Sequence, residues 1–267
     1  MKTARKNLSG FIFFIFLTAA AIFWIFPLKG TIPVLMYHYL DDQQSAEKNL
    51  INPKSFESQM NFLKMFGYRV ISMDEYDEIQ MGRRQPKGRE VVITFDDGHE
   101  SFFTYAYPVL KKYHFPVIMF MISGKLKSEE YLSEAQVKQM FQEDPLFMIG
   151  AHTQTHPHLP EISLEEAKKE ILGSKQDLEQ IFGRPIFYFA YPHGEFNSEL
   201  LKLVQEAGYR RAFTTSFKKL KNLEENQYAM TRLKITRSSD NPIAFWFKLS
   251  GLYTAFKYYR HRVKDKA

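Results

Sequence analysis

Val91-Val92-Ile93-Thr94-Phe95 is an apolar, β-branched run with no polar alternation until its end. A strand of that kind is buried on both faces, and such strands belong to parallel sheets covered by helices. Comparable runs occur at 32–37, 117–122 and 147–149, with later strand candidates at 187–190, 211–214 and 230–235. Helical patterns fill the gaps. Phe56, Met60 and Leu63 share one helical face ahead of Gly67, a C-terminal stop. Ser163 and Glu166 form a capping box that opens a helix with Leu164, Ala167, Ile171, Leu178 and Ile181 on or near one side. Asn197 caps another helix, which ends at Gly208. Strand and helix alternating in this way imply parallel strands joined by crossovers.

Three of the strand ends carry polar strings. Asp96-Asp97-Gly98 follows the buried run, His152-Thr153-Gln154-Thr155-His156 follows the 147–149 strand, and Tyr191-Pro192-His193-Gly194 follows the 187–190 strand. An acidic pair before Gly is common in plain turns, but here it ends a buried strand. Adjacent side chains at a strand end point in different directions. One carboxylate can therefore bind a metal while the other reaches a water beside it. Gly150 before the histidines and Pro157 and Pro160 after them place the pair on a strand end entering a turn rather than on a helix. Their neutral nitrogens suit zinc and its first-row neighbours, and His158 is an alternative ligand to His156. With no cysteine in the chain, thiolate ligands and disulfides are excluded. Residues gathered from several strand ends favour a barrel, whereas an open sheet focuses its site on one switch point.

The chain's 267 residues suit one barrel domain, placed at 31–240. An uncharged apolar run of 18 residues, 11–28, follows a basic stretch at 1–10. It is expected to be one transmembrane helix that leaves the remainder outside the cell. Ala19-Ala20-Ala21 is followed by Ile22, Phe23 and Trp24, a poor setting for signal cleavage. The net charge of +6 is concentrated at the ends. Residues 1–29 hold Lys2, Arg5, Lys6 and Lys29 without an acid, and residues 257–267 hold five basic residues against Asp265. The body between is net negative, which argues against a nucleic-acid partner and suits a membrane-associated one. Asn241-Pro242 reads as a cap opening an aromatic, basic C-terminal helix and tail at 241–267. That helix either closes the barrel or lies against anionic headgroups.

Thr94-Phe95-Asp96-Asp97-Gly98, His152-x-x-x-His156 and the Phe189-Ala190-Tyr191-Pro192 turn, in that order, resemble the NodB-like polysaccharide deacetylases of carbohydrate esterase family 4. The opening Val34-Leu35-Met36-Tyr37-His38 resembles the branch that includes surface-anchored poly-N-acetylglucosamine deacetylases. The resemblance runs from about Ile32 to Ile235. It implies an α/β fold, a distorted, incomplete (β/α) barrel. It also implies Asp97, His152 and His156 as ligands of a divalent metal (Zn2+, with Co2+ or Ni2+ as alternatives), Asp96 as general base and Arg232 as its orienting partner. The Tyr191-Pro192-His193 turn would face the substrate, with a His193 backbone N–H at the oxyanion. Many members have Tyr where His193 stands and draw their general acid from a Leu-x-His motif; the matching segment here, 230–235, has no histidine. His38 and His193 are the candidates for that acid. The implied function is N-deacetylation of N-acetylglucosamine units in an extracellular polysaccharide, an exopolysaccharide or a peptidoglycan glycan. The alternatives are a weakly active or non-catalytic glycan-binding protein and an O-acetyl esterase.

Overall fold

The structure, a computed structural model, describes residues 32–42, 49–217 and 226–264. The 11–28 run expected to cross a membrane lies outside them. Among the described residues no helix is long and apolar enough to do so.

The strands are β1 (Val34–Tyr37), β2 (Tyr39–Leu40), β3 (Leu50–Ile51), β4 (Arg69–Val70), β5 (Glu90–Phe95), β6 (Val117–Met121), β7 (Phe147–Ala151), β8 (Tyr188–Ala190), β9 (Arg211–Thr214), β10 (Met230–Thr231) and β11 (Leu233–Lys234). The helices are α1 (Pro53–Met65), α2 (Met73–Gln80), α3 (Tyr107–Tyr113), α4 (Glu134–Glu143), α5 (Leu164–Phe182), α6 (Ser198–Glu206), α7 (Pro242–Leu249) and α8 (Leu252–Lys264). The main sheet runs β10-β9-β8-β7-β6-β5-β1-β11, with β4 added to the start of β5. Its pairings are parallel. All six residues of β5 are buried, as a strand covered on both faces must be.

β10 and β11 stand at opposite ends of this path, yet only Arg232 separates them in the chain. The sheet therefore curls into a nearly closed barrel, and Arg232 steps across its seam. Its N–H donates to Thr214 O at the end of β9 (2.8 Å), while Ile235 N donates to Met36 O of β1 (2.9 Å). The single strand expected over 230–235 is split for this reason: its two halves serve different neighbours.

The helices end where their sequences dictate. Ser163 and Glu166 close the capping box of α5, and Gly183 terminates it in the left-handed region (φ 64°). The buried face of α5 is Ala167, Ile171, Ser174 and Leu178. Leu164 is half exposed, because the first residue of the helix points away from the sheet. Residues 241–264 form two helices rather than one. The break falls at Ser250-Gly251, where Gly251 has φ 79°. α7 buries Phe245 and Leu249, and Phe245 packs edge-on against Phe62 of α1 at 5.7 Å.

Gly150 lies where β7 passes closest to its neighbours. A Cβ there would sit 2.6 Å from the Phe120 ring and 2.9 Å from Tyr188 O. Gly150→Ala should lower unfolding free energy by about 1–3 kcal/mol, the usual cost of overpacking. Urea titration checks this, and an unchanged midpoint would contradict the packing described.

Candidate active site

β5 ends in a tight turn. Asp96 N donates to Tyr37 O (3.0 Å) and Gly98 N returns to Asp96 O (2.9 Å). Asp97, between them, takes φ 70°. The turn sends the two carboxylates into different surroundings. Asp96 is buried and held by Arg232 through two parallel bonds, Nη1 to Oδ1 and Nη2 to Oδ2, each 2.6 Å. Arg232 is 1% exposed, so this is an interior ion pair and not a surface one. Its Nη1 also donates to Thr94 Oγ1 (3.0 Å), and its guanidinium lies 5.0 Å from the Phe120 ring centroid. Burial works to raise the Asp96 pKa, but the Arg232 charge and hydrogen bonds, with His152 assisting, hold it below the usual carboxylate range.

Asp97 has no such partner. Its Oδ1 is buried without a hydrogen bond among the described residues. The nearest groups are His152 Nε2 at 3.5 Å and His156 Nε2 at 3.6 Å. One ligand atom from each of Asp97, His152 and His156 lies within 4.8 Å of the others. Both imidazoles are neutral at pH 7, burial lowering His152 to about 3 and His156 to about 4. His152 Nδ1 donates to Ala190 O (2.7 Å), which leaves the Nε2 lone pair facing Asp97. Burial, with the Asp96 charge next, raises Asp97 to about 7. An orphaned carboxylate oxygen facing two imidazole lone pairs fits a divalent cation, whose charge would remove that penalty.

The histidine loop is held from α5. Glu170 Oε2 accepts from Gln154 N (2.8 Å) and Thr155 N (2.9 Å), and Thr155 Oγ1 donates to Glu170 Oε1 (2.7 Å). His156 N donates to Thr153 Oγ1 (3.0 Å). Thr153, His156 and His193, like Asp97, have positive φ. Among the described residues, four of the five non-glycine residues in that region therefore lie at this site, the fifth being the helix-terminal His114. Left-handed backbone at such residues costs about 1–3 kcal/mol each and persists only where surroundings enforce it.

The remaining candidates divide. His38, just beyond β1, is within electrostatic reach of Asp96, Arg232, Lys234 and His156, and its Nδ1 is a buried atom without a partner among the described residues. Burial lowers it to about 4, against the pull of Asp96. The His193 ring is exposed and stacked on His158 at 3.7 Å, with the His156 ring 4.6 Å away. His158 is turned to Glu195, its Nδ1 2.9 Å from Oε2, and stands outside the ligand cluster. Tyr191 was expected against the substrate, but its side chain is core. It is 1% exposed, donates to Tyr228 O (3.0 Å) and stacks on Phe196. Pro192 is buried as well, so only His193 of that turn presents a side chain to solvent. Sequence reasoning missed Glu170 and the Ala190 carbonyl, since nothing local marks a carboxylate on α5 as a loop anchor.

Full-length protein should bind one equivalent of zinc in equilibrium dialysis. Asp97→Asn and His156→Ala should each weaken that binding by at least tenfold, beyond the usual effect of losing a supporting partner. Binding that survives both substitutions would place the ion elsewhere.

The polysaccharide deacetylase family profile matches residues 83–212, a span that holds the acid pair, the histidine loop and the third turn but neither His38 nor Arg232. YxkH of Bacillus subtilis, assigned as a polysaccharide deacetylase, is 30% identical over 214 residues, 80% of this chain and 75% of that protein. The poly-β-1,6-N-acetyl-D-glucosamine N-deacetylase of Staphylococcus aureus is 26% identical over 212 residues, 74% and 72% of the two chains. The Streptococcus pyogenes deacetylase PplD, solved in complex with acetate, superposes with a TM-score of 0.74 at 27% identity, covering 82% of this chain and 97% of that one. Identity sustained across three quarters of a relative, on a shared fold, establishes that the chain belongs to the polysaccharide deacetylase family.

Proposed function

We propose that the chain is a metal-dependent N-deacetylase acting on N-acetylglucosamine units of an extracellular polysaccharide, and that its ion is zinc. As family members do, it hydrolyses a carbon–nitrogen bond. The observation that carries the reading is the pairing of a free-facing ligand cluster with a second carboxylate kept ionised by a buried arginine. A glycan-binding protein has no use for Asp96 in that state.

A bound zinc would supply Lewis-acid polarisation of the acetyl carbonyl and an acidified water. Asp96, ionised and fixed in orientation by Arg232, accepts the proton of the attacking water. Arg232 itself keeps both hydrogen bonds to that carboxyl and moves no proton. The His193 N–H, presented by a left-handed residue and donating to no described group, serves the developing oxyanion. The departing amine needs a proton, and the residues favour His38 over His193 as its source. The His38 ring is in the field of Asp96 and carries a nitrogen without a partner among the described residues, whereas the His193 ring is exposed and stacks on His158. His38 is neutral at rest, so the proton it passes to the amine is the one Asp96 has accepted from the attacking water.

The anchor over 11–28 and the extracellular address belong to the same proposal. They rest on the apolar run and its basic flank.

Acetate release from N-acetylglucosamine oligomers by the zinc-loaded protein tests the reading. Asp96→Asn should lower kcat by about 10²–10⁴ while retaining zinc, the range for loss of a positioned acid or base. His38→Gln should lower kcat by a comparable factor, and His193→Ala should cost much less. Undiminished turnover in Asp96→Asn would refute the assignment.

A further inference from the structure

Beside Arg232 is a second feature, a cavity of about 330 Å³. Its lining includes Thr215 and Ser216 just beyond β9, Arg232 and Lys234 at the seam, and Tyr253 and Lys257 on α8. The cavity opens at the same barrel end as the catalytic residues. Thr215 is packed against the His193-Gly194 turn, so closely that a Cβ on Gly194 would sit 2.0 Å from its Oγ1.

Donors and positive charge converge here; the acid pair, with Asp96 bound to Arg232, acts on Lys234 through its field without forming an ion pair with it. Lys234 and Lys257 line the cavity, and Lys248, 7% exposed, stands behind them with its Nζ on Lys234 O (2.5 Å). Lys248 and Lys257 each place Nζ 5.5 Å from the Tyr253 ring centroid. Among the described residues no carboxylate is within ion-pairing distance of these three lysines. Burial and the charges of Lys257 and Lys234 bring Lys248 down to about 8, so the cluster is under mutual repulsion. Arg232 adds the second observation. Both Nη atoms are committed to Asp96, but its buried Nε–H has no acceptor among the described residues. A buried guanidinium N–H left without an acceptor is costly, and an arginine edge of this kind matches an oxyanion.

We propose that this cavity is an anion subsite that takes a carboxylate or phosphate carried by the glycan unit next to the one being deacetylated. The inference rests on the deacetylase reading for its substrate and narrows it to glycans with an acidic neighbour. Lys234, Lys257 and Arg232 Nε would supply the charge and the Thr215 hydroxyl a further donor. The same field opposes a neighbour already converted to an ammonium, so deacetylation would be spaced along the polymer rather than contiguous.

The test compares kcat/KM of the zinc-loaded full chain on a neutral N-acetylglucosamine pentamer and on the same pentamer oxidised at C6 to carboxylates on alternate units. The carboxylated pentamer should be preferred about tenfold, as one charge-assisted contact allows. That ratio should fall to near one in Lys257→Gln and in Lys234→Gln, and return in Lys257→Arg. Because each variant is judged by its own ratio, a partly folded variant still gives an answer. Neutral and carboxylated pentamers turned over alike by the wild-type protein would overturn the subsite and leave the deacetylase reading standing. Inhibition by inorganic phosphate or acetate without any preference between the pentamers would also overturn it, marking a pocket for free anions. If neither pentamer releases acetate, the deacetylase reading falls instead. Calorimetric titration with inorganic phosphate then decides the cavity: saturable binding lost in Lys257→Gln supports it, and no binding overturns it.

Discussion

The ion pair between Arg232 and Asp96 ties the closing of the fold to its chemistry. Arg232 is the residue at which the chain leaves β9's side of the sheet and joins β1's side, and Asp96 ends the strand that pairs with β1. Their two hydrogen bonds therefore run from the seam across the barrel end. Removing one partner of a buried pair costs about 3–5 kcal/mol, because the other charge is stranded. Here it would also release the carboxyl whose ionisation the reaction requires. An arginine suits this position and a lysine does not, since only the planar fork can make two parallel bonds and still reach Thr94.

The rest of the site is expensive backbone held in place by ordinary residues. Asp97, Thr153, His156 and His193 occupy left-handed conformations that a free loop would not choose. What enforces them is close by. Glu170 gathers the amides of Gln154 and Thr155, Asp177 accepts from Gln154 Nε2 and Ser123 Oγ, and Thr214 Oγ1 donates to Gly194 O. The long, capped helix α5 matters in this respect more than its packing alone implies. It carries both Glu170 and Asp177 on the side facing the loop, so the stability of its core face is transmitted to the positions of the two histidines.

Much of this was readable in the chain. β5 is legible because Val91–Phe95 is an unbroken apolar, β-branched run, and the acid pair is notable because it follows such a run. Asp97, His152 and His156 do lie together, and α5 starts at its capping box; each is marked by local chemistry. What escaped notice depends on distant partners. The split at Arg232 is a property of sheet closure, and 230–235 reads locally as one strand. Tyr191 belongs to a turn expected to face the substrate, but its ring direction is set by Phe196 and the Tyr228 carbonyl. The break at Ser250-Gly251 had a local signal in Gly251, outweighed by the aromatic continuity on either side.

Asp96 and Asp97 are neighbours in sequence with the same side chain, so their different roles come entirely from surroundings. The turn at Gly98 sends one towards a guanidinium and the other towards two neutral imidazoles. The first environment favours a bare anion, and burial beside Asp96 drives the second towards protonation at about pH 7. Opposite pressures on adjacent acids separate a group that receives protons from a group that must be satisfied by a cation. Exchanging the two environments would put a base where no arginine can hold it and a ligand where no imidazole can join it. The order of the motif is thus fixed by the seam on one side and the histidine loop on the other, not by the acidic pair itself.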